Sequence, residues 1–174
     1  MTIKSPLIDV RNLYRTFDVG RGPFRRTARR VPAVDNVGFS IGDGETVGLI
    51  GGSGSGKSTI ARILTGLERA DSGSVVFGDI DLVALEERER LAYRLHIQLV
   101  PQDTSASLNP RRRIGVQIAE PMLNLGIVSS RQEAERETLR LLERVGLRED
   151  DARRFPHAFS GGQRQRINIA RTLG

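Results

Sequence analysis

Residues 51–59 constrain this chain more than any other stretch. They read G-G-S-G-S-G-K-S-T and fit G-x-x-x-x-G-K-[ST], a glycine-rich loop that wraps phosphate between a strand and a helix. The flanks suit that context. Residues 46–50, Thr-Val-Gly-Leu-Ile, form an apolar run of strand type, and 60–64, Ile-Ala-Arg-Ile-Leu, continue as a helix. Gly51, Gly54 and Gly56 allow backbone N–H groups to turn inward on an anion, with the positive end of the helix behind them. The expected nucleotide contacts are Gly51, Gly52, Ser53, Gly54, Ser55, Gly56, Lys57, Ser58 and Thr59, with Lys57 reaching the β and γ phosphates and Ser58 ligating Mg2+. A flexible Gly/Ser linker would share the composition but not the lysine. Of the 27 Lys and Arg residues only Lys4 and Lys57 are lysine, and a compact ammonium enters a phosphate cradle that a planar guanidinium fork does not.

With 174 residues, 38% of them apolar, the chain can bury a sizeable core, and a single domain is expected. It has no cysteine, which excludes a disulfide framework and cysteine-based metal sites. The first ten residues, with Pro6 and Asp9, do not read as a signal peptide, and no apolar run approaches the ~20 residues that span a bilayer. A cytosolic protein is expected, with any membrane role peripheral or through a partner. The net charge of +6 and the clusters Arg25, Arg26, Arg29, Arg30 and Arg111, Arg112, Arg113 raise nucleic-acid binding as a reading. Only Phe24 lies in the first cluster, and no row of aromatics offers a stacking platform. A solvated basic loop is the plainer meaning, with a lipid headgroup or partner surface next.

Along the chain, 7–13 alternate as a half-buried strand, 18–32 read as a loop, 33–41 as a second strand, and 42–45 as the turn into the phosphate-loop strand. Residues 74–77 form a third strand, 85–94 a charged helix, and 96–100 a buried strand stopping at Pro101. Gln102 then stands at the carboxyl end of a core strand, where ligands of α/β sheets gather, although alone it reads as a surface turn residue. Residues 114–125 suit a helix interrupted by Pro121. A second helix opens at the capping box Ser130-Arg131-Gln132-Glu133 and runs to Val145, with Gly146 ending it. Ser160 and Gln163 form another capping box. Gly161 and Gly162 in that first turn cost about 1 kcal/mol each relative to Ala, which is understandable where bare N–H groups must approach an anion.

With both glycine-rich stretches in view, residues 7–174 resemble the ATP-binding subunit of ABC transporters. The resemblance implies an α/β phosphate-loop NTPase fold with a mixed or parallel core sheet, an antiparallel β edge and a helical subdomain. Its parts would be 7–80, the ATP-binding core; 81–100, a core helix and strand; 101–159, the Q-loop and helical subdomain; and 160–174, the signature helix. Ser160, Gly161, Gly162 and Gln163 look like the signature motif, which contacts the γ-phosphate held by the other subunit of a head-to-tail dimer. Gln102, in Val-Pro-Gln-Asp, looks like the Q-loop glutamine that touches Mg2+ or water and couples to the membrane subunit. Phe17 occupies the place of the aromatic that stacks on adenine, with Tyr14 close by. The Arg-rich insertion, residues 106–110 and Phe155-Pro156-His157 are similar to the second ATPase of oligopeptide and dipeptide importers, whose relatives also carry nickel or glutathione.

The resemblance therefore implies ATP and Mg2+ as ligands, a paralogous or identical ATPase as partner, transmembrane permease subunits, an indirect link to a substrate-binding protein, no nucleic acid, and a place on the inner face of the cell membrane. In the family the signature helix is followed by an apolar strand ending in Asp-Glu, the Walker B pair, and later by a switch histidine. Val75-Val76-Phe77-Gly78-Asp79 lacks the second acid, and His96 and His157 precede the signature. No general base is identified, the phosphate-loop strand is expected to have an unpaired edge, and the chain reads as incomplete at its C-terminus. Asn168 replaces the small residue usual in that helix. A truncated, non-catalytic nucleotide binder without transport activity is the alternative. A phosphotransferase would share the phosphate loop but leave the Ser160 turn unexplained.

Overall fold

A computed structural model describes residues 6–20, 29–93, 95–102 and 107–174. Most of the Arg-rich insertion, Ala106, Asp103 and Arg94 lie outside the described residues. The chain divides into two compact units, Met1–Ile97 and Gln98–Gly174, so two cores stand where one was expected.

In the first unit, β1 (Ile8–Val19) pairs antiparallel with β2 (Arg29–Ile41) on one side and β3 (Ser72–Phe77) on the other, and β3 pairs with a short β4 (Ile80–Asp81). The order is β2-β1-β3-β4. This is the expected antiparallel edge, and every pairing among the described residues is antiparallel. The loop expected over 18–32 is shorter, because the ladder continues through Phe17 opposite Val31 to Val19 opposite Arg29. Pro32 does not break it, since β2 is an edge strand and can spare an N–H. Asn12 and Asn36 take left-handed conformations at register shifts, and the Asn12 amide donates to Asn36 Oδ1 at 2.9 Å, tying the bulge together. Sequence reading missed β4. Asp81 Oδ1 there accepts from the N–H groups of Val75 and Val83, each at 3.0 Å.

Helix α1 (Lys57–Leu64) buries Ile60 and Ile63, one turn apart, against Val10, Leu13, Val34, Val75 and Leu82. This face fixes the helix that the phosphate loop feeds. Helix α2 (Glu87–Tyr93) follows, with Tyr93 edge-on to Phe77. Two expected strands do not form. Residues 46–50 are irregular, with Ile50 97% exposed and Val47 and Leu49 also exposed. Residues 95–97 turn, and 98–100 are irregular with Val100 exposed. An apolar run becomes a strand only beside a hydrogen-bonding neighbour, and no strand among the described residues lies alongside either. The anticipated strand edge is therefore not a strand: residues 46–50 are exposed but irregular.

The second unit is helical: α3 (Ile114–Asn124), α4 (Arg131–Arg144), single 3-10 turns at Glu149–Arg153 and Pro156–Ala158, and α5 (Gly161–Leu173). Its core joins Ile114, Ile118 and Met122 of α3 to Leu141 and Leu142 of α4 and Ile167 and Ala170 of α5. Pro121 does not interrupt α3 as expected. Hydrogen bonding resumes at once, Leu125 N–H to Pro121 O at 2.9 Å, and the flanking Ile118 and Met122 are completely buried. Packing offsets the ~3 kcal/mol cost of an interior proline. The box at α4 is displaced by one residue. Ser130 Oγ accepts from Glu133 N–H at 3.2 Å, while the Glu133 carboxylate accepts from Ser129 N–H (2.9 Å) and Oγ (2.8 Å) rather than from Ser130. The Ser129 N–H bond holds the Glu133 carboxyl below the usual carboxylate range. No helix among the described residues is long and apolar enough to cross a membrane.

Candidate nucleotide site and signature turn

The chain reaches α1 through a tight loop in which Ser55 N–H donates to Gly52 O at 3.3 Å. Lys57 turns back over it. Its Nζ donates to the carbonyls of Gly51 at 2.7 Å and Gly52 at 2.6 Å, and to Ser55 Oγ at 3.2 Å. Gly56 caps α1 with φ of 90°. A Cβ there would lie 2.0 Å from Ala33 O, so Gly56 is required both by backbone conformation and by contact with β2. Ser53 and Gly54 are exposed on the loop, Ser58 is exposed in the first helical turn, and Thr59 is half-buried behind it.

These residues fit a polyphosphate. The ammonium already lies over carbonyl oxygens, and an anionic oxygen is a stronger acceptor for it. The open loop leads into a helix N-terminus anchored through Ile60 and Ile63. No cluster of three His, Cys, Asp or Glu able to hold a metal occurs among the described residues. Mg2+ would have the Ser58 hydroxyl and otherwise phosphate and water oxygens, the coordination Mg2+ ordinarily takes with nucleotides.

Phe17 sits on β1, half-buried, opposite Val31 and two residues from the rung before Ala33. Tyr14 pairs instead with Ser72 on the β3 side. Sequence reading missed Arg15, whose Cζ stands 4.7 Å over the Phe17 ring. Gln102 is exposed in the second unit, adjoining residues outside the description.

The signature turn carries both bonds of its capping box. Ser160 Oγ accepts from Gln163 N–H at 3.3 Å, and Gln163 Oε1 accepts from Ser160 N–H at 2.9 Å, so this box has the expected form. Gly161 and Gly162 are exposed, and a Cβ on either would meet nothing within 4 Å. The second unit itself gives no steric reason for glycine there. Behind the turn, Phe159 is buried and two arginines hold its approach. Arg154 donates to Asp151 Oδ1 at 2.7 Å and Ala158 O at 2.8 Å, with Cζ 4.7 Å over the Phe159 ring, and Arg164 donates to Phe159 O at 2.9 Å. Burial works to raise the Asp151 carboxyl, but the Arg148 N–H and Arg154 outweigh it and hold it below the ordinary range. Spacing alone hinted at the Asp151–Arg154 pair, three residues apart before an aromatic. Asn168, which replaces the small residue usual in that helix, is fully buried and donates to Ser107 Oγ at 2.7 Å.

A phosphate loop and a serine-capped Gly-Gly helix start, on an antiparallel sheet unit and a helical unit, define a cassette of the phosphate-loop NTPase class. The ABC transporter family matches residues 34–174, and the chain belongs to that family. It is 45% identical over 97% of its length to the glutathione import ATP-binding protein GsiA of Pectobacterium atrosepticum. It is equally similar to YkfD of Bacillus subtilis, provisionally named an oligopeptide transport ATP-binding protein. The chain spans 27% of the first and 49% of the second. A dimeric post-hydrolysis structure of the ATP-binding cassette MJ0796, bound to ADP and Pi, superposes with a TM-score of 0.80 at 29% identity, covering 95% of this chain and 68% of that one.

Proposed function

We propose that this chain is the ATP-binding, energy-coupling part of an ABC importer for peptides, glutathione among them. Working at the inner face of the membrane, it would pair head-to-tail with an identical or paralogous ATPase beneath permease subunits served by a substrate-binding protein. The observation that carries the reading is the Lys57 ammonium within 2.7 Å of two loop carbonyls, beside a left-handed Gly56 that opens α1. The relatives named for glutathione and oligopeptide transport support the cargo class.

In this reading Lys57 and the α1 N-terminus hold the β and γ phosphates, and Ser58 contributes to Mg2+, which supplies charge neutralisation when bound. Phe17 stacks on adenine. Gln102 contacts Mg2+ or water, and the bare N–H groups after Ser160 face the γ-phosphate held by the partner. The chain carries no acidic residue assigned to polarise water, so ATP turnover by residues 1–174 is expected near background. Turnover that survives purification and vanishes in Lys57→Ala would contradict this.

Calorimetric titration with MgATP tests the core of the proposal. Wild type should bind, Lys57→Ala should lose at least about tenfold in affinity, and Gly162→Arg in the single chain should bind as wild type. Equal binding by wild type and Lys57→Ala would end the proposal. A nucleotide binder without transport activity is the second reading, favoured by residues 46–50 and 98–100 standing outside any sheet.

A further inference from the structure

Arg15 and Phe17 are two residues apart on β1, which puts their side chains on the same face of the strand. The guanidinium is held from two directions by the loop that follows α1. Nη2 donates to Glu68 Oε1 at 2.6 Å and Nη1 to Asp71 Oδ1 at 2.7 Å, while the second Asp71 oxygen accepts from Thr16 N–H at 2.7 Å. Asp71 N–H in turn donates to Tyr14 O at 2.9 Å. The Arg15 Nε is buried with no acceptor, so the group's contacts are two carboxylates and an aromatic face. Arg–aromatic pairs on strands are ordinary packing. Two observations separate this one from the ordinary case: its anchoring to the segment that ends the phosphate-loop helix, and its position. Phe17 pairs with Val31, and two residues on is Ala33, whose carbonyl abuts Gly56 of the phosphate loop. Two residues of strand are about 7 Å, a span that a ribose bridges.

We infer that Arg15 is a positioning residue for the nucleotide base: clamped by Glu68 and Asp71, it covers one face of the Phe17 ring and leaves the ring's other face as the stacking platform for a purine. This rests on the nucleotide-binding reading above and adds to it a residue that contacts neither phosphate nor base. The cation over one face of an aromatic ring is attracted by its quadrupole. It also fixes the ring's rotamer, so the platform is in place before a base arrives and less ordering is lost on binding.

The inference separates base from phosphate, and two probes do the same: MgATP, and inorganic tripolyphosphate with Mg2+, titrated into the chain. Arg15→Met keeps the aliphatic stem and removes the charge and the clamp. It should weaken ATP about five- to tenfold and leave tripolyphosphate within about twofold of wild type. Asp71→Asn should move ATP in the same direction by less, and Phe17→Ala should match Arg15→Met or exceed it. Should Arg15→Met unfold the first unit, Asp71→Asn and Glu68→Gln carry the same comparison. Equal loss of both probes would make Arg15 merely structural and overturn the inference, as would unchanged ATP affinity. Failure of wild type to bind either probe would instead overturn the nucleotide reading and the inference with it. Binding of tripolyphosphate as tight as ATP, unaltered in Phe17→Ala, would leave the phosphate loop standing and remove the platform.

Discussion

Single positions decide how the two turns are held. Gly56 must be left-handed and must leave room for Ala33 O, only 2.0 Å from where a Cβ would stand. Gly56→Ala is therefore expected to destabilise the first unit by at least about 2 kcal/mol, measured by urea denaturation. Asp151 carries a different cost. Its folded carboxyl titrates below the ordinary value because Arg148 N–H and Arg154 favour the anion against burial. A depressed folded value contributes stability that is present above the unfolded pKa, about 3.9, and is lost as pH falls through the folded one. Asp151→Asn should thus cost about 1–3 kcal/mol at neutral pH and flatten the acid limb below about pH 5, as followed by thermal melts across pH. An unchanged acid limb would remove Asp151 from the support of the Ser160 turn. The Arg15–Glu68–Asp71 set could not be read in advance, because which arginine of an arginine-rich chain meets which distant carboxylate depends on ladders and turns formed between remote segments, whereas Asp151 and Arg154, three residues apart, left a local trace.

Among the elements, those whose signals are local came through. Residues 131–145 show helical spacing of Ala134, Thr138, Leu141, Leu142 and Val145; the first four are the buried residues of α4, and Val145 is its half-buried C-cap. The Ser160–Gln163 box needs four consecutive residues and forms with both bonds. The Ser130 box failed only in its second bond, because Ser129 offers the Glu133 carboxylate both an N–H and a hydroxyl. Strands fared worse. Residues 46–50 have the composition of a strand but no paired neighbour, and β4 is too short to show a pattern. Helix α5 allows a prediction at this scale. Gly161 and Gly162 have open space around them and ordinary helical conformations, so alanine at either should stabilise the second unit by up to about 1 kcal/mol, read by chemical denaturation. The same substitutions should weaken ATP-dependent pairing. Destabilisation by alanine would mean that the glycines serve the fold.

At the scale of the whole molecule, the chain is two units with separate cores, each displaying one turn to solvent. The sheet unit shows the Lys57 loop and an apolar run ending in Ile50, and the helical unit shows the Ser160 turn. Because Ile50 is 97% exposed, Ile50→Ser should change stability by less than about 0.5 kcal/mol; a larger loss would show that this run is covered. In the proposed function the two turns are halves of one site completed between chains, and sedimentation tests that claim most directly. MgATP should drive wild-type chains into a dimer, while Gly162→Arg, its phosphate loop intact and its ATP affinity unchanged, should remain monomeric. Dimerisation of Gly162→Arg to the same extent as wild type, at the same MgATP concentration, would contradict the account.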